Sequence, residues 1–144
     1  MRALTVHEPW ATAIALGAKA VENRNWPPPP ALFAGERFAV HAGRESAIHR
    51  DDVYWVALQM GLDGDRLLAQ VRPGHLLCTV ELERAVGTRS ALPAEQQRWF
   101  SGRYGWVLRD VRRLSTPVPC RGMQGLWTVP ADVERLVLEA GGWP

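Results

Sequence analysis

A chain of 144 residues with 47% hydrophobic and 22% charged side chains has the make-up of an ordinary globular domain, long enough to bury one core and short for two. Its formal net charge of +2 excludes a basic tail or a polyarginine arm, so any nucleic-acid contact has to come from local placement of arginines. Two cysteines, Cys78 and Cys120, are too few for a disulfide framework and lack metal-ligand spacing. No apolar run reaches membrane-spanning length and no charged-then-apolar leader opens the chain, so the expected location is cytoplasmic.

Residues 3–6 read as a short strand. Pro9 suits the first turn of a helix, where its missing N–H costs nothing, and Ala11, Ile14, Ala15 and Ala18 recur at helical spacing. Gly17 is the expected stop. Lys19 follows, the sole lysine beside sixteen arginines. An exposed turn residue is the plain reading; the functional one is that a compact ammonium can be tuned by its surroundings in a way a guanidinium cannot. Residues 21–26 look extended, with Glu22, Arg24 and Trp26 on one face and Val21, Asn23 and Asn25 on the other. The prolines at 27–30 are expected to form a stiff polyproline turn that carries no helix.

Residues 37–41, where Phe38 and Val40 alternate with more polar neighbours, read as another strand, followed by a strand-to-helix turn at 41–44. A helix is expected over 46–60, with Gly61 as its stop, a helical turn over 66–69 and a turn at Pro73 and Gly74. His75–Val86 is the clearest strand, with Leu77, Thr79, Glu81 and Glu83 on one side and Leu76, Cys78, Val80 and Leu82 on the other. A short helix over 94–100, a long strand over 105–114 and a strand over 124–129 come next. Pro117 and Pro119 confine any continuation to a sheet edge. Val133, Leu136, Val137 and Ala140 mark a C-terminal amphipathic helix. Irregular alternation of strands and helices, without a Gly-rich strand-to-helix loop, favours a small mixed or barrel-like sheet over a parallel α/β sheet.

The common catalytic signatures are missing. His7, His41, His49 and His75 are scattered without ligand spacing, so no metal and no cofactor are expected. Three clusters remain: Lys19, Glu22 and Arg24 on or beside one extended face; Glu81, flanked by Thr79 and Glu83; and RGMQGLW at 121–127, whose glycines let backbone N–H groups approach a ligand and whose Trp127 offers a ring. A solvated charge ladder, a solvent-facing strand residue and a tight turn are the respective plain alternatives. Of seven tryptophans, one or two are expected to face a pocket.

In order along the chain, LTVHEPWATAIALGAKAVENRNW (4–26), FAVHAGR (38–44), LLCTVEL (76–82), YGWVLRDVRRL (104–114) and RGMQGLW (121–127) resemble the ASCH domain, a family within the PUA-like superfamily of RNA-binding barrels. The resemblance spans nearly the whole chain. It implies one α+β domain over 1–144: a small PUA-like mixed β-barrel of five or six strands with flanking helices. It also implies a cleft where the first helix, the K-x-x-E-x-R segment and the Glu81 strand converge. The resemblance further implies binding of RNA or other nucleic acid, and some ASCH proteins are reported as nucleases. One bacterial branch hydrolyses an acylated cytidine with a lysine, a threonine and a glutamate. Lys19 matches that lysine and Glu81 that glutamate, but Glu22 stands in the threonine's place. A lysine-activated hydroxyl needs the hydroxyl, and a carboxylate there would instead hold Lys19 or Arg24 ionised.

The leading expectation is therefore a binder of RNA, single-stranded nucleic acid or a nucleobase ligand. Lys19, Arg24 and Arg44 would meet phosphate or base oxygens. Glu22 and Glu81 would accept from base amino groups or hold the cations, and Trp10, Trp26 or Trp127 would stack, each stacked base adding about 1–3 kcal/mol. The alternatives are a hydrolase acting on a modified nucleoside or on RNA, with Lys19, Glu22 and Glu81 catalytic, and a protein-binding adaptor.

Overall fold

The structure is a computed structural model and describes residues 1–142. Strand β1 (Arg2–Val6) leads through a cis Glu8–Pro9 bond into the short helix α1 (Trp10–Ala15). Ala11, Ala13, Ile14 and Ala15 bury α1 nearly all round, so it sits between two cores rather than on a surface. Glu8 anchors it: the buried carboxylate accepts from the Thr12 backbone N–H (2.7 Å), the Thr12 hydroxyl (2.6 Å) and the Arg72 N–H (2.9 Å). Gly17 then turns the chain at φ +83°, as its position suggested, into β2 (Val21–Arg24).

The proline run does carry a helix, contrary to expectation: α2 (Pro30–Phe33) begins on the last proline. Pro30 occupies the first helical turn, where a fixed φ and an absent N–H suit the start of a helix. Strand β3 (Phe38–Ala42) follows. The helix expected over 46–60 is split into a 3-10 turn at Glu45–Ala47 and α3 (Arg50–Met60), because Ile48 and His49 are extended. Asp51 and Asp52 then lie in the first turn of α3, where their charge complements the helix dipole. After Gly61 come α4 (Gly64–Leu68), β4 (His75–Val86), a 3-10 segment at Ala94–Trp99, β5 (Tyr104–Pro119), β6 (Leu126–Thr128) and α5 (Ala131–Glu139).

The six strands form one sheet in the order β2-β5-β4-β3-β1-β6, curled into a half-barrel with the helices flanking it. Only β1 and β3 run parallel, and the intervening α1, β2 and α2 make the crossover that a parallel pair requires. The α+β expectation of five or six strands holds. Three register shifts interrupt the β4–β5 ladder. The first, between Leu76 and Cys78, breaks the expected alternation. Leu77 joins Val80 and Leu82 in the barrel core, while Leu76 packs with Leu114, Val118 and Trp127 under α5. Of the apolar stripe expected on α5, Val137 is fully buried and Leu136 is exposed. At Pro117 and Pro119, β5 has run past its pairing with β2, so one side is an open edge, as prolines there demand. Among the described residues no helix is long and apolar enough to cross a membrane.

Candidate functional site

β2 is short, and its register with β5 decides where its charges go. Glu22 lies opposite Trp106, a fully buried residue of the barrel core, so the Glu22 carboxylate faces the interior side of the sheet. Lys19, on the turn before β2, is only 2% exposed, which rules out the solvated-turn reading. Its Nζ lies 3.1 Å from Glu22 Oε1, while Arg24 Nε lies 3.4 Å from Glu22 Oε2. Arg24 also donates from Nη2 to the Thr5 backbone carbonyl of β1. One carboxylate thus serves two cations, and the unit retains a net positive charge.

That unit is also rich in donors. An ammonium carries three N–H groups. Among the described residues, Glu22 is the one hydrogen-bond partner of the Lys19 ammonium, and the buried Arg24 Nε makes no hydrogen bond. Buried donors without acceptors are costly, so a ligand offering acceptor atoms here would be favoured.

Above the charges opens a cleft of about 560 Å³, lined by Trp10, Lys19, Glu22, Asn23, Arg24, Trp55, Arg89, Arg98, Trp99 and neighbouring residues. Trp55 projects from α3, 44% exposed, and meets Trp99 edge to face at 5.8 Å between ring centroids. Asn23 ties the far wall to β2: it donates to the Trp99 carbonyl (2.8 Å) and accepts from the Ser101 N–H (3.0 Å). Arg89 Nη2 donates to the Phe100 carbonyl (3.0 Å), and Arg98 Nη1 to the Gln59 carbonyl (3.3 Å). Both guanidiniums are therefore steered to the rim.

Of the residues singled out in the sequence, Trp10, Lys19, Glu22 and Arg24 line this cleft. Glu81 does not. Leu82 is opposite Leu108 on the core side, so Glu81, opposite Arg109, faces outward. Its carboxylate lies 3.5 Å from Arg37 Nη2 and 3.2 Å from Arg109 Nε. Arg37 is itself buried, and donates to the Thr79 hydroxyl (3.0 Å) and to Asp110. Glu81 is thus a counter-ion on the outer face of the sheet, and the convergence of Lys19 with Glu81 expected from the resemblance is corrected.

Trp26, Trp127 and Arg44 are likewise absent from the cleft lining. Trp26 packs edge-on to Trp106 at 4.8 Å, and its carbonyl accepts from Trp106 Nε1 (3.2 Å). Arg44 is exposed beyond the end of β3. Trp127 is buried and donates from Nε1 to Thr5 Oγ1 (3.1 Å). The 121–127 turn closes around this point. His41 Nε2 donates to the Cys120 carbonyl (2.7 Å), which leaves Nδ1 as an acceptor 3.2 Å from Thr5 Oγ1. Gly122 is required there, since a Cβ would come within 2.5 Å of His41 Cε1 and 2.8 Å of Thr5 Oγ1. The glycine-rich segment is therefore the tight turn of the plain reading.

Sequence reasoning missed Trp55, Arg89, Arg98 and Trp99. Trp55 carried a signal: it falls out of phase with Val53, Val56 and Ala57, the buried stripe of α3. Trp143 lies outside the described residues. Among the described residues no group of three or more His, Cys, Asp or Glu could hold a metal ion.

No protein-family model matches the sequence, and no curated protein matches it. Among solved structures, the fold is similar to the crystal structure of ASCH from Zymomonas mobilis, with a TM-score of 0.55 and 19% sequence identity over 96% of this chain and 93% of that one. Two single-site mutants of the same Zymomonas mobilis protein give the same TM-score of 0.55 at 18% identity. One, serine-to-alanine, covers 96% of this chain and 94% of that one. The other, tyrosine-to-phenylalanine, covers 96% of both chains. The protein has the fold of the Zymomonas mobilis ASCH structure, a small six-stranded half-barrel with flanking helices.

Proposed function

We propose that the protein binds RNA, or a ligand carrying a nucleobase, in the cleft between α1, β2, α3 and the 99–101 segment. The observation that carries this reading is the buried Lys19–Glu22–Arg24 unit, net positive and short of acceptors, beneath the indole rings of Trp10, Trp55 and Trp99. Phosphate and base oxygens supply acceptors for such a floor, and the more exposed rings of Trp10 and Trp55, the latter backed by buried Trp99, supply stacking faces worth about 1–3 kcal/mol per base. Both Glu22 oxygens are engaged by cations, so Glu22 acts as their counter-ion. Arg89 and Arg98 at the rim extend the positive surface along an incoming strand. The cleft is local and the overall charge is small, which favours a single strand or an unstacked base over duplex. The ASCH fold, which the sequence blocks also resemble, agrees with this class of ligand.

Hydrolysis of an acylated cytidine draws no comparable support. Glu22 stands where a hydroxyl would be needed, and Glu81 is engaged with Arg37 and Arg109 on the outer face of the sheet.

Fluorescence anisotropy of short labelled single-stranded RNA, titrated at two ionic strengths, tests the proposal. Saturable binding that weakens with salt, and weakens again in Trp55→Ala, is the expected result. No affinity at low salt for any RNA or nucleoside pool would sink it.

A further inference from the structure

A second hollow, of about 410 Å³, opens on the other flank of α1. At about 100° per residue, Trp10 turns to the cleft while Thr12, Ala15 and Leu16 turn to this hollow. Its other walls are Gln70 and Arg72 ahead of β4, Leu77 on β4, and Arg113, Leu114, Ser115 and Pro117 on β5. Two arginines line it and no acid does.

The two cations differ from the others on this side of the molecule. On the arginine-rich stretch of β5, Arg109 pairs with Glu81 and Arg112 with Asp110. Among the described residues, the Arg113 guanidinium has neither a hydrogen-bond nor an ion-pair partner, and the residue lines the hollow instead. Arg72 is fixed in place: its Nη1 donates to the carbonyls of Ala69 and Val71, both at 2.9 Å, and its backbone N–H is anchored on the buried Glu8 carboxylate. One guanidinium is thus held beside the site, and a second is free to close on a ligand. Behind them lie apolar Ala15, Leu16, Leu77 and Pro117, and the Ser115 hydroxyl and Gln70 amide add neutral donors.

From this geometry we infer that the hollow is a phosphate-binding subsite, distinct from the tryptophan-lined cleft and separated from it by α1. A phosphate group presents several acceptor oxygens and a negative charge, which two guanidiniums, a hydroxyl and an amide match. Two sources share that chemistry: the backbone of a strand whose base enters the cleft, which rests on the RNA reading above, or a small free phosphoester, which does not.

The test has two arms. In the first, ¹H–¹⁵N spectra are followed while inorganic phosphate replaces chloride at fixed ionic strength. Saturable shifts of the Ser115 amide and Gln70 side-chain amide are expected in the wild type, with loss in Arg113→Gln and partial return in Arg113→Lys. Arg113 is exposed, so these variants keep the fold, which the rest of each spectrum verifies. Shifts absent from the wild type, or unchanged in Arg113→Gln, overturn the proposal.

The second arm compares salt dependence for a labelled tetranucleotide and dodecanucleotide. If the source is a bound strand, Arg113→Gln lowers the dodecanucleotide's log–log salt slope by about 0.7, the value for one single-strand phosphate contact, and leaves the tetranucleotide's unchanged. Equal slopes together with retained phosphate shifts assign the subsite to a small phosphoester. Absence of all RNA binding overturns the cleft reading, while the phosphate arm still decides the hollow.

Discussion

Glu22 and Glu81 stand on opposite faces of one sheet: Glu22 lies opposite Trp106 and faces the barrel interior, whereas Glu81 lies opposite Arg109 and faces out. No rotamer change brings both to Lys19. Replacing Glu81 by Gln is therefore expected to leave RNA affinity in the cleft unchanged. It weakens the fold through Arg37, which keeps its bonds to Thr79 and Asp110 but loses one charged partner. That partner is 3.5 Å away and part exposed, so the loss is expected to be about 1 kcal/mol, read from the urea midpoint. A loss of RNA affinity at unchanged stability would contradict the placement.

Lys19 and Glu22 are expected to separate binding from stability. Glu22→Gln removes the one carboxylate between two cations and strands a buried ammonium, a situation that costs about 3–5 kcal/mol. Lys19→Met instead removes the ammonium and leaves Glu22 paired with Arg24, so stability stays level or rises. Its RNA affinity falls at least tenfold, as follows from losing a charged hydrogen bond of about 1.5–3 kcal/mol. Thermal melts beside anisotropy titrations check both halves. Equal destabilisation by the two variants would mean that the ion pair is purely structural.

The strands were legible because period-two patterns and glycine stops are local signals: His75–Val86 reads directly from its residues, and Gly17 and Gly61 end their helices at positive φ. The Lys19–Glu22–Arg24 group was legible for the same reason, being six consecutive residues whose spacing fixes their faces. What could not be read was non-local. Alternation already put Glu81 on the face opposite Val80 and Leu82; what it could not show is the β4–β5 register that sets Glu81 against Arg109, or the shift at Leu76 and Cys78 that exchanges the faces of two leucines. Trp99 stands at the cleft through long-range contacts, among them the bond from Asn23, 76 positions away, to its carbonyl. The glycines and the Trp127 ring of 121–127 suggested a ligand loop, whereas its contacts to His41 and Thr5 make it a clasp.

The two thiols are expected to react unequally. Cys78 is fully buried, and burial pushes its thiol up to about 12, so at neutral pH it is neither ionised nor accessible. Cys120 is partly exposed, and its pKa is raised first by desolvation and then by Asp132. Mass spectrometry after brief iodoacetamide treatment is expected to show slow single modification at Cys120 in the native protein, and modification of both cysteines in denaturant. Early labelling of Cys78 would mean that the β3–β4 region opens locally.

The His41 clasp is expected to make stability depend on pH. Burial holds the imidazole below its ordinary 6.5; the Cys120 carbonyl pulls it up slightly and His75 pushes it down. Above that value the ring is neutral in both folded and unfolded chains, and its contribution is fully present. As pH falls below 6.5, the unfolded chain takes the proton first, so stability is lost progressively until the folded-state pKa is passed. Glu8 works in the opposite sense, over the window from 4.5 up to its raised folded value. Its carboxyl is raised above 4.5 by burial, against the bonds from Thr12 and Arg72, so its contribution is largest below 4.5 and fades as pH rises through the folded value. Protonating His41 at Nδ1 also removes the acceptor for Thr5 Oγ1, whose proton still has the Met123 carbonyl at 3.2 Å. The wild-type urea midpoint should therefore fall between about pH 7.5 and about pH 5.5, and His41→Gln should flatten that fall. Gly122→Ala, which drives a Cβ into the same ring, should destabilise the fold by about 1–3 kcal/mol. A His41→Gln variant with the wild-type pH profile would place the titrating group elsewhere.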